Sequence, residues 1–88
     1  LLEWFEEFLQ LYKIGKVKDT TVYRIRQTFS PCKKNRISMM KLQDIRAIHV
    51  QQLINEMDEN GFSYGTIRTL KYLLSEMFKR RLETVYSY

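Results

Sequence analysis

Asn60-Gly61-Phe62-Ser63-Tyr64-Gly65-Thr66-Ile67 reads as a junction between two helices. Before it, Val50, Leu53, Ile54 and Met57 recur at helical spacing, which predicts a helix from about Ala47 to Glu59 with those residues inward. His49, Gln52 and Glu56 fall on its outer face. Asn60-Gly61 stops it, because glycine takes the left-handed conformation at a helix C-terminus without a Cβ penalty. Ser63 then caps a further helix reaching about Glu83. Ile67, Leu70, Leu74 and Phe78 form its core stripe, flanked by Leu73 and Met77. Tyr64, Arg68, Lys71 and Ser75 form an adjoining polar stripe. The tail Thr84 to Tyr88 reads as a linker beginning or a chain end.

Two more helices precede this pair. In the first, from about Leu2 to Tyr12, Trp4, Phe5, Phe8, Leu11 and Tyr12 make an apolar face, with Glu3, Glu6, Glu7 and Gln10 opposite. Gly15 breaks the chain after it. The next runs from Thr20 or Thr21 to Phe29, capped by Asp19 or Thr20 and ended by Pro31. Val22, Ile25 and Phe29 share its inner face, leaving Thr20, Arg24 and Gln27 outside. Ser30 to Met40 reads as a basic loop carrying Lys33, Lys34 and Arg36. Met39 and Leu42 are expected to plug back into the core, and Leu42 with Ile45 to form a short anchoring turn. Strand-like alternation is absent, so the expected fold is all-α, a compact bundle of four helices in one domain spanning residues 1–88.

With 88 residues, two independent cores would each be too small to stand alone. Apolar residues make up 44% and aromatics 14%, enough for a packed interior. No apolar run approaches the roughly 20 residues that cross a bilayer. The acidic, aromatic opening is unlike a signal peptide. The chain starts on Leu rather than Met and is expected to be a domain cut from a longer protein. Cys32 is the single cysteine, which excludes an internal disulfide and a cysteine-rich zinc site and fits an intracellular location.

The net charge of +5 is unevenly spread. Leu1 to Tyr12 carries −3, Lys13 to Lys41 carries +8, Leu42 to Asn60 carries −3 and the remainder +3. Such alternation suggests a basic and an acidic side, with a polyanion as the simplest partner of the former. Charge alone leaves DNA, RNA and an anionic membrane open.

Catalysis finds no foothold in these residues. His49 lies beside Gln52 and Glu56 with no Ser or Cys at matching spacing to activate and no second His or Cys to share a metal. Glu3, Glu6 and Glu7 on an open helix back remain ordinary anions. No metal or cofactor is implied. The helix starts offer more. Ser63 and Thr66 occupy the first turn of the last helix, where unpaired N–H groups and the dipole favour a phosphate. Thr66 stands where a capping-box Glu would cancel that positive end. Tyr64, Arg68 and Lys71 follow along the polar stripe. The second helix repeats the scheme: Lys16 and Lys18 lead in, Thr20 and Thr21 head it, and Arg24 and Gln27 project away from the core. The plainer reading is a pair of ordinary helix caps among scattered surface bases.

An aromatic first helix bearing Trp4, a basic lead-in Lys18 to Thr21, Leu42 to Ile45, the steps Val50-Gln51 and Leu53-Ile54-Asn55, and then Gly61, Ser63 and Thr66-Ile67 occur in this order. The series resembles the core-binding, N-terminal SAM-like domain of phage-type integrases, the tyrosine recombinases. That resemblance covers nearly the whole chain and implies a SAM-like orthogonal bundle that grips double-stranded DNA beside the crossover site. In the family the second and fourth helices cross the major groove, which points here to Thr20, Thr21, Arg24, Ser63, Thr66 and Arg68. It also implies a separate catalytic domain in the parent protein, a monomeric isolated domain and cytoplasmic work on a mobile element, away from membranes. Departures are visible. Pro31 comes early with no Gly after it, Arg46 stands where a Thr usually caps the third helix, and Gly65 lies in the first turn of the fourth. The catalytic Arg, His-x-x-Arg and Tyr set is absent, and Tyr86 and Tyr88 are not taken for the nucleophile.

A rival reading is a small protein-interaction module. There Trp4, Phe5 and Phe8, partly exposed on the first helix, would dock a partner helix. Salt separates the two, since phosphate contacts weaken steeply with ionic strength and aromatic docking hardly responds.

Overall fold

Phe5 from the first helix and Phe29 from the second stack with ring centroids 3.9 Å apart and planes 7° from parallel. Both are fully buried. Around this pair the computed structural model, which describes the backbone of residues 1–86 and the side chains of residues 1–83, closes a helical bundle. Among the described residues there are four α-helices, α1 (Leu2–Tyr12), α2 (Asp19–Lys33), α3 (Ala47–Glu59) and α4 (Tyr64–Tyr86), and no strand. Two 3₁₀ turns, Arg36–Met39 and Leu42–Asp44, carry the chain from α2 to α3. The all-α class and the bounds of α1 and α3 match the sequence reading.

The long α4 packs against each of the other three helices and supplies Ile67, Leu70, Leu73, Leu74 and Met77 to the core. Trp4, Phe5, Phe8 and Leu9 enter from α1, Phe29 and Cys32 from α2, and Leu53 and Met57 from α3. Each fully buried large side chain contributes about 1.5–3 kcal/mol over an exposed one. Trp4 adds direction, because its Nε1–H donates to the Met77 carbonyl at 2.8 Å and fixes α1 across α4. Phe78, Val50 and Ile54 pack at the core's edge, as do Leu42 and Ile45, the anchoring turn expected from the sequence.

Several expectations are corrected. On α1 the inner face takes Leu9, while Leu11 is 43% exposed. Trp4, Phe5 and Phe8 are buried rather than partly exposed, which removes the feature on which the protein-docking reading stood. Pro31 does not end α2; the helix runs on to Lys33 with Pro31 inside its last turn. Pro31 cannot donate to the carbonyl four residues back, yet Phe29 and Cys32, both fully buried, hold that turn in place. Asp19 and Thr20 are not caps: the N-cap is Lys18, in extended conformation, with no side-chain hydrogen bond.

The basic loop is largely structured. Asn35 Oδ1 accepts the Ile37 amide at 2.9 Å and starts the first 3₁₀ turn, while its Nδ2 donates to Glu56 Oε2 of α3 at 2.8 Å. Ile37 is fully buried and Met40 packs on the core, whereas Met39 is 86% exposed. At the end of α3 the Phe62 amide bonds the Met57 carbonyl and the Gly61 amide bonds the Asp58 carbonyl, both at 3.1 Å. With Gly61 at φ +84° this is the Schellman stop that Asn60-Gly61 announced. At the other end of α3, His49 is half-buried, and its Nδ1 accepts the Arg46 amide at 2.9 Å, half of a capping box. The tail expected from Thr84 instead continues α4 through Tyr86, while Ser87 and Tyr88 lie outside the described residues.

Candidate nucleic-acid interface

The start of α4 is built by Ser63. Its Oγ accepts the Thr66 amide at 3.2 Å and lies 2.9 Å from Thr66 Oγ1, and its carbonyl accepts the Ile67 amide at 3.1 Å. Tyr64 and Gly65, the first two helical residues, have amides with no partner available inside the helix. Helix α4 carries no acidic residue in its first turn, so nothing there offsets the positive end of the dipole. Ser63, Tyr64, Gly65 and Thr66 are all exposed, Tyr64 at 79%.

The start of α2 differs. Lys18 accepts the Thr21 and Val22 amides through its backbone carbonyl, and Asp19 places a carboxylate in the first turn. Thr20 and Thr21 therefore stand on the exposed surface without a capping role. Lys16 bends back to donate its ammonium to the Leu11 carbonyl at the end of α1 rather than leading freely into α2. Lys18, Arg24 and Gln27 are exposed, as are Arg68 and Lys71 on α4. All ten residues singled out from the sequence, five on or before α2 and five around the start of α4, are thus on the surface.

Helices α2 and α4 pack directly on one another. A shallow groove along their seam is lined by Ile25 and Thr28 from α2, by Thr69, Tyr72, Leu73 and Glu76 from α4, and by Lys13 at the end of α1. Arg24 lies one turn from Thr28, and Arg68 one turn from Tyr72, so each helix brings a guanidinium close to this seam. The hydroxyls of Thr28 and Thr69 are spent on their own helices, donating to the Arg24 carbonyl at 3.0 Å and the Gly65 carbonyl at 2.8 Å.

Among the described residues, four ion pairs cancel charge within the bundle. Glu6 of α1 pairs with Arg26 at 2.9 Å, Glu7 approaches Arg81 at 3.8 Å, and Glu76 pairs with Lys13 at 3.0 Å. Arg80 pairs with Glu83 at 2.9 Å within α4. These partly exposed pairs each contribute only about 0–1 kcal/mol; their consequence is which charges they cancel. Glu6 and Glu7 of α1 are thus turned on bases of the bundle itself, while Glu3 is exposed and has no ion pair among the described residues. Among the described residues, Lys18, Arg24, Arg68 and Lys71 have no ion pair, and neither do Lys16, Lys33, Lys34, Arg36, Lys41, Arg46 and Lys79.

The sequence reading missed Tyr72. It is 61% exposed, its hydroxyl accepts Arg68 Nε–H at 3.0 Å, and the Arg68 guanidinium lies 5.3 Å from its ring centroid. The spacing of four residues on a helix was the available signal. Tyr23 of α2, 63% exposed, is a second outward aromatic. Among the described residues no cluster of His, Cys, Asp and Glu could hold a metal ion, and no helix is long and apolar enough to cross a membrane. Cys32 is a buried thiol pushed up to about 12 by burial, a poor nucleophile walled into the core.

Comparison with known families gives a match. The family described as "Phage integrase, N-terminal SAM-like domain" aligns with residues 1–57, which takes in α1, α2 and most of α3 and leaves α4 beyond the aligned stretch. No curated protein and no solved structure gives a significant match to the chain.

Proposed function

The chain belongs to the phage integrase N-terminal SAM-like domain family, and from that premise we propose that it is the DNA-binding, core-binding domain of a tyrosine recombinase. It grips duplex DNA through the α4 start and the outward faces of α2 and α4. The contacting residues are Lys18, Thr20, Thr21, Arg24 and Gln27 on one helix and Ser63, Tyr64, Thr66, Arg68 and Lys71 on the other. The observation that carries this reading is the free cationic surface of α2 and α4, where, among the described residues, Lys18, Arg24, Arg68 and Lys71 are exposed with no ion pair. Lys33 and Lys79 near the far ends of the same helices are exposed without an ion pair as well, whereas Arg26, Arg80 and Arg81 are turned onto Glu6, Glu83 and Glu7. An exposed, unpaired Lys or Arg is available to displace counterions from a phosphate backbone.

Residues 1–88 act as one domain, clamping one side of a recombination half-site. The cleavage chemistry belongs to a catalytic domain of the parent protein, working in the cytoplasm. Phosphate contacts supply most of the affinity, and a few side chains reaching base edges tune sequence choice. The free domain is a monomer.

Fluorescence anisotropy on a labelled duplex across a salt series tests this. Binding near the non-specific range of about 10⁻⁴ to 10⁻⁶ M is expected, with a log–log salt slope of about −3 to −4 if Lys18, Arg24, Arg68 and Lys71 each neutralise a phosphate. A slope near zero would overturn the reading.

A further inference from the structure

We infer that Tyr72 is a positioning residue for DNA recognition, holding the Arg68 guanidinium in a fixed orientation at the seam of α2 and α4; the inference rests on the DNA-binding reading above. Arg68 Nε–H donates to the Tyr72 hydroxyl at 3.0 Å, and the guanidinium carbon stands 5.3 Å from the ring centroid. Those two contacts hold the group beside the tyrosine and set its direction. One of its five N–H donors is used, which leaves the four on the Nη nitrogens for a pair of acceptors such as phosphate oxygens or guanine O6 and N7.

The hydroxyl has a second consequence. Arginine only donates, so Tyr72 accepts, and its own O–H remains free to donate outward. Thr28 and Thr69 line the same groove but have committed their hydroxyls to Arg24 and Gly65 carbonyls, and its charged members Lys13 and Glu76 are paired with each other at 3.0 Å. Tyr72 therefore offers a donor there that its two neighbours lack. Together Arg68 and Tyr72 make a donor surface of fixed shape on an exposed helix face, suited to paired oxygen or nitrogen acceptors rather than to a diffuse negative charge.

Charge and geometry separate experimentally. Arg68→Lys keeps the charge and loses the planar fork. Tyr72→Phe keeps the ring near the guanidinium and loses the acceptor, and Tyr72→Ala loses both. Anisotropy with a mixed-sequence duplex at one low salt concentration should give Arg68→Lys and Tyr72→Ala each about three- to tenfold weaker than wild type, with Tyr72→Phe between. The double variant Arg68→Lys/Tyr72→Ala should be no weaker than the worse single change, because both remove the same oriented contact. Melting curves establish that each variant is folded. In the free protein, the Arg68 Nε–H resonance should exchange slowly with solvent in wild type and quickly in Tyr72→Phe. Loss of affinity in Arg68→Ala with wild-type binding by Arg68→Lys and Tyr72→Phe would overturn the positioning role while leaving DNA binding intact. A wild-type Arg68 Nε–H exchanging as fast as those of other exposed arginines would overturn it too. Absence of salt-sensitive binding by wild type would overturn the underlying reading and this role with it.

Discussion

The Ser63 and Thr66 hydroxyl oxygens lie 2.9 Å apart, and the same Ser63 oxygen accepts the Thr66 amide at 3.2 Å, so one serine both caps α4 and orients the threonine at its third position. A capping box would place a Glu at that threonine. Its absence leaves the helix start positive and free of any side-chain carboxylate.

Thr66→Glu should therefore stabilise the fold and weaken DNA binding. The new carboxylate can reach back to the Ser63 amide and meets the helix dipole favourably, together about 0.3–1 kcal/mol. It would also repel a phosphate at the same place, by about fivefold in affinity for charges about 4 Å apart in water. Thermal melts and binding curves at one low salt concentration give the two signs. Gln52→Glu, the same charge change on the exposed face of α3, should leave affinity near wild type. Equal losses in both variants would mean that net charge alone matters.

Gly61→Ala should cost about 1 kcal/mol in urea denaturation, with little change in the m-value. No heavy atom lies within 4 Å of the position a Cβ would take, so the penalty comes from the backbone at φ +84° rather than from a clash. An unchanged midpoint would show that the Schellman stop contributes nothing to stability.

Cys32 should make stability fall at alkaline pH. Burial raises the folded-state thiol from 9.0 to about 12, so the folded chain holds this proton more tightly than the unfolded chain. The resulting contribution is complete below about pH 9 and is lost as pH climbs from 9 towards 12. Between those values wild type should lose more stability than Cys32→Ala, in which lysine and tyrosine titrations remain but the thiol does not. At pH 8 alkylation of folded Cys32 should track unfolding. Labelling as fast as in urea-unfolded protein would contradict its place in the core.

Much of this fold was legible because α1 and α3 end where local chemistry says they should. Gly61 and the uninterrupted apolar periods of α1 and α3 are signals that tertiary contacts did not override. The misreadings occur where two local answers were nearly equal. At about 100° per residue, Leu9 and Leu11 flank the Trp4, Phe5 and Phe8 arc on opposite edges. Only the packed neighbours decide that Leu9 is covered. Pro31 obeys a rule for isolated helices, but the burial of Cys32 just beyond it carries the last turn further. In the 3₁₀ turn Ile37 and Met40, three residues apart, share a side, so Met39 points out. A loop reading has no period from which to see that. The exposed positions on α2 and α4 followed from the helical repeat. The Arg68–Tyr72 pair was marked only by its spacing of four residues, which says that the two side chains can meet but not that their rotamers bring them together.

Amide chemical-shift mapping during titration of the ¹⁵N-labelled domain with a duplex is the most direct measurement of where DNA sits. At low salt, perturbations should concentrate at residues 18–24 and 63–71, grow together with one dissociation constant, and collapse as salt is raised. Perturbations centred instead on Glu3, Glu7 and His49, with residues 63–71 unmoved, would contradict the assignment of the α2 and α4 faces to DNA.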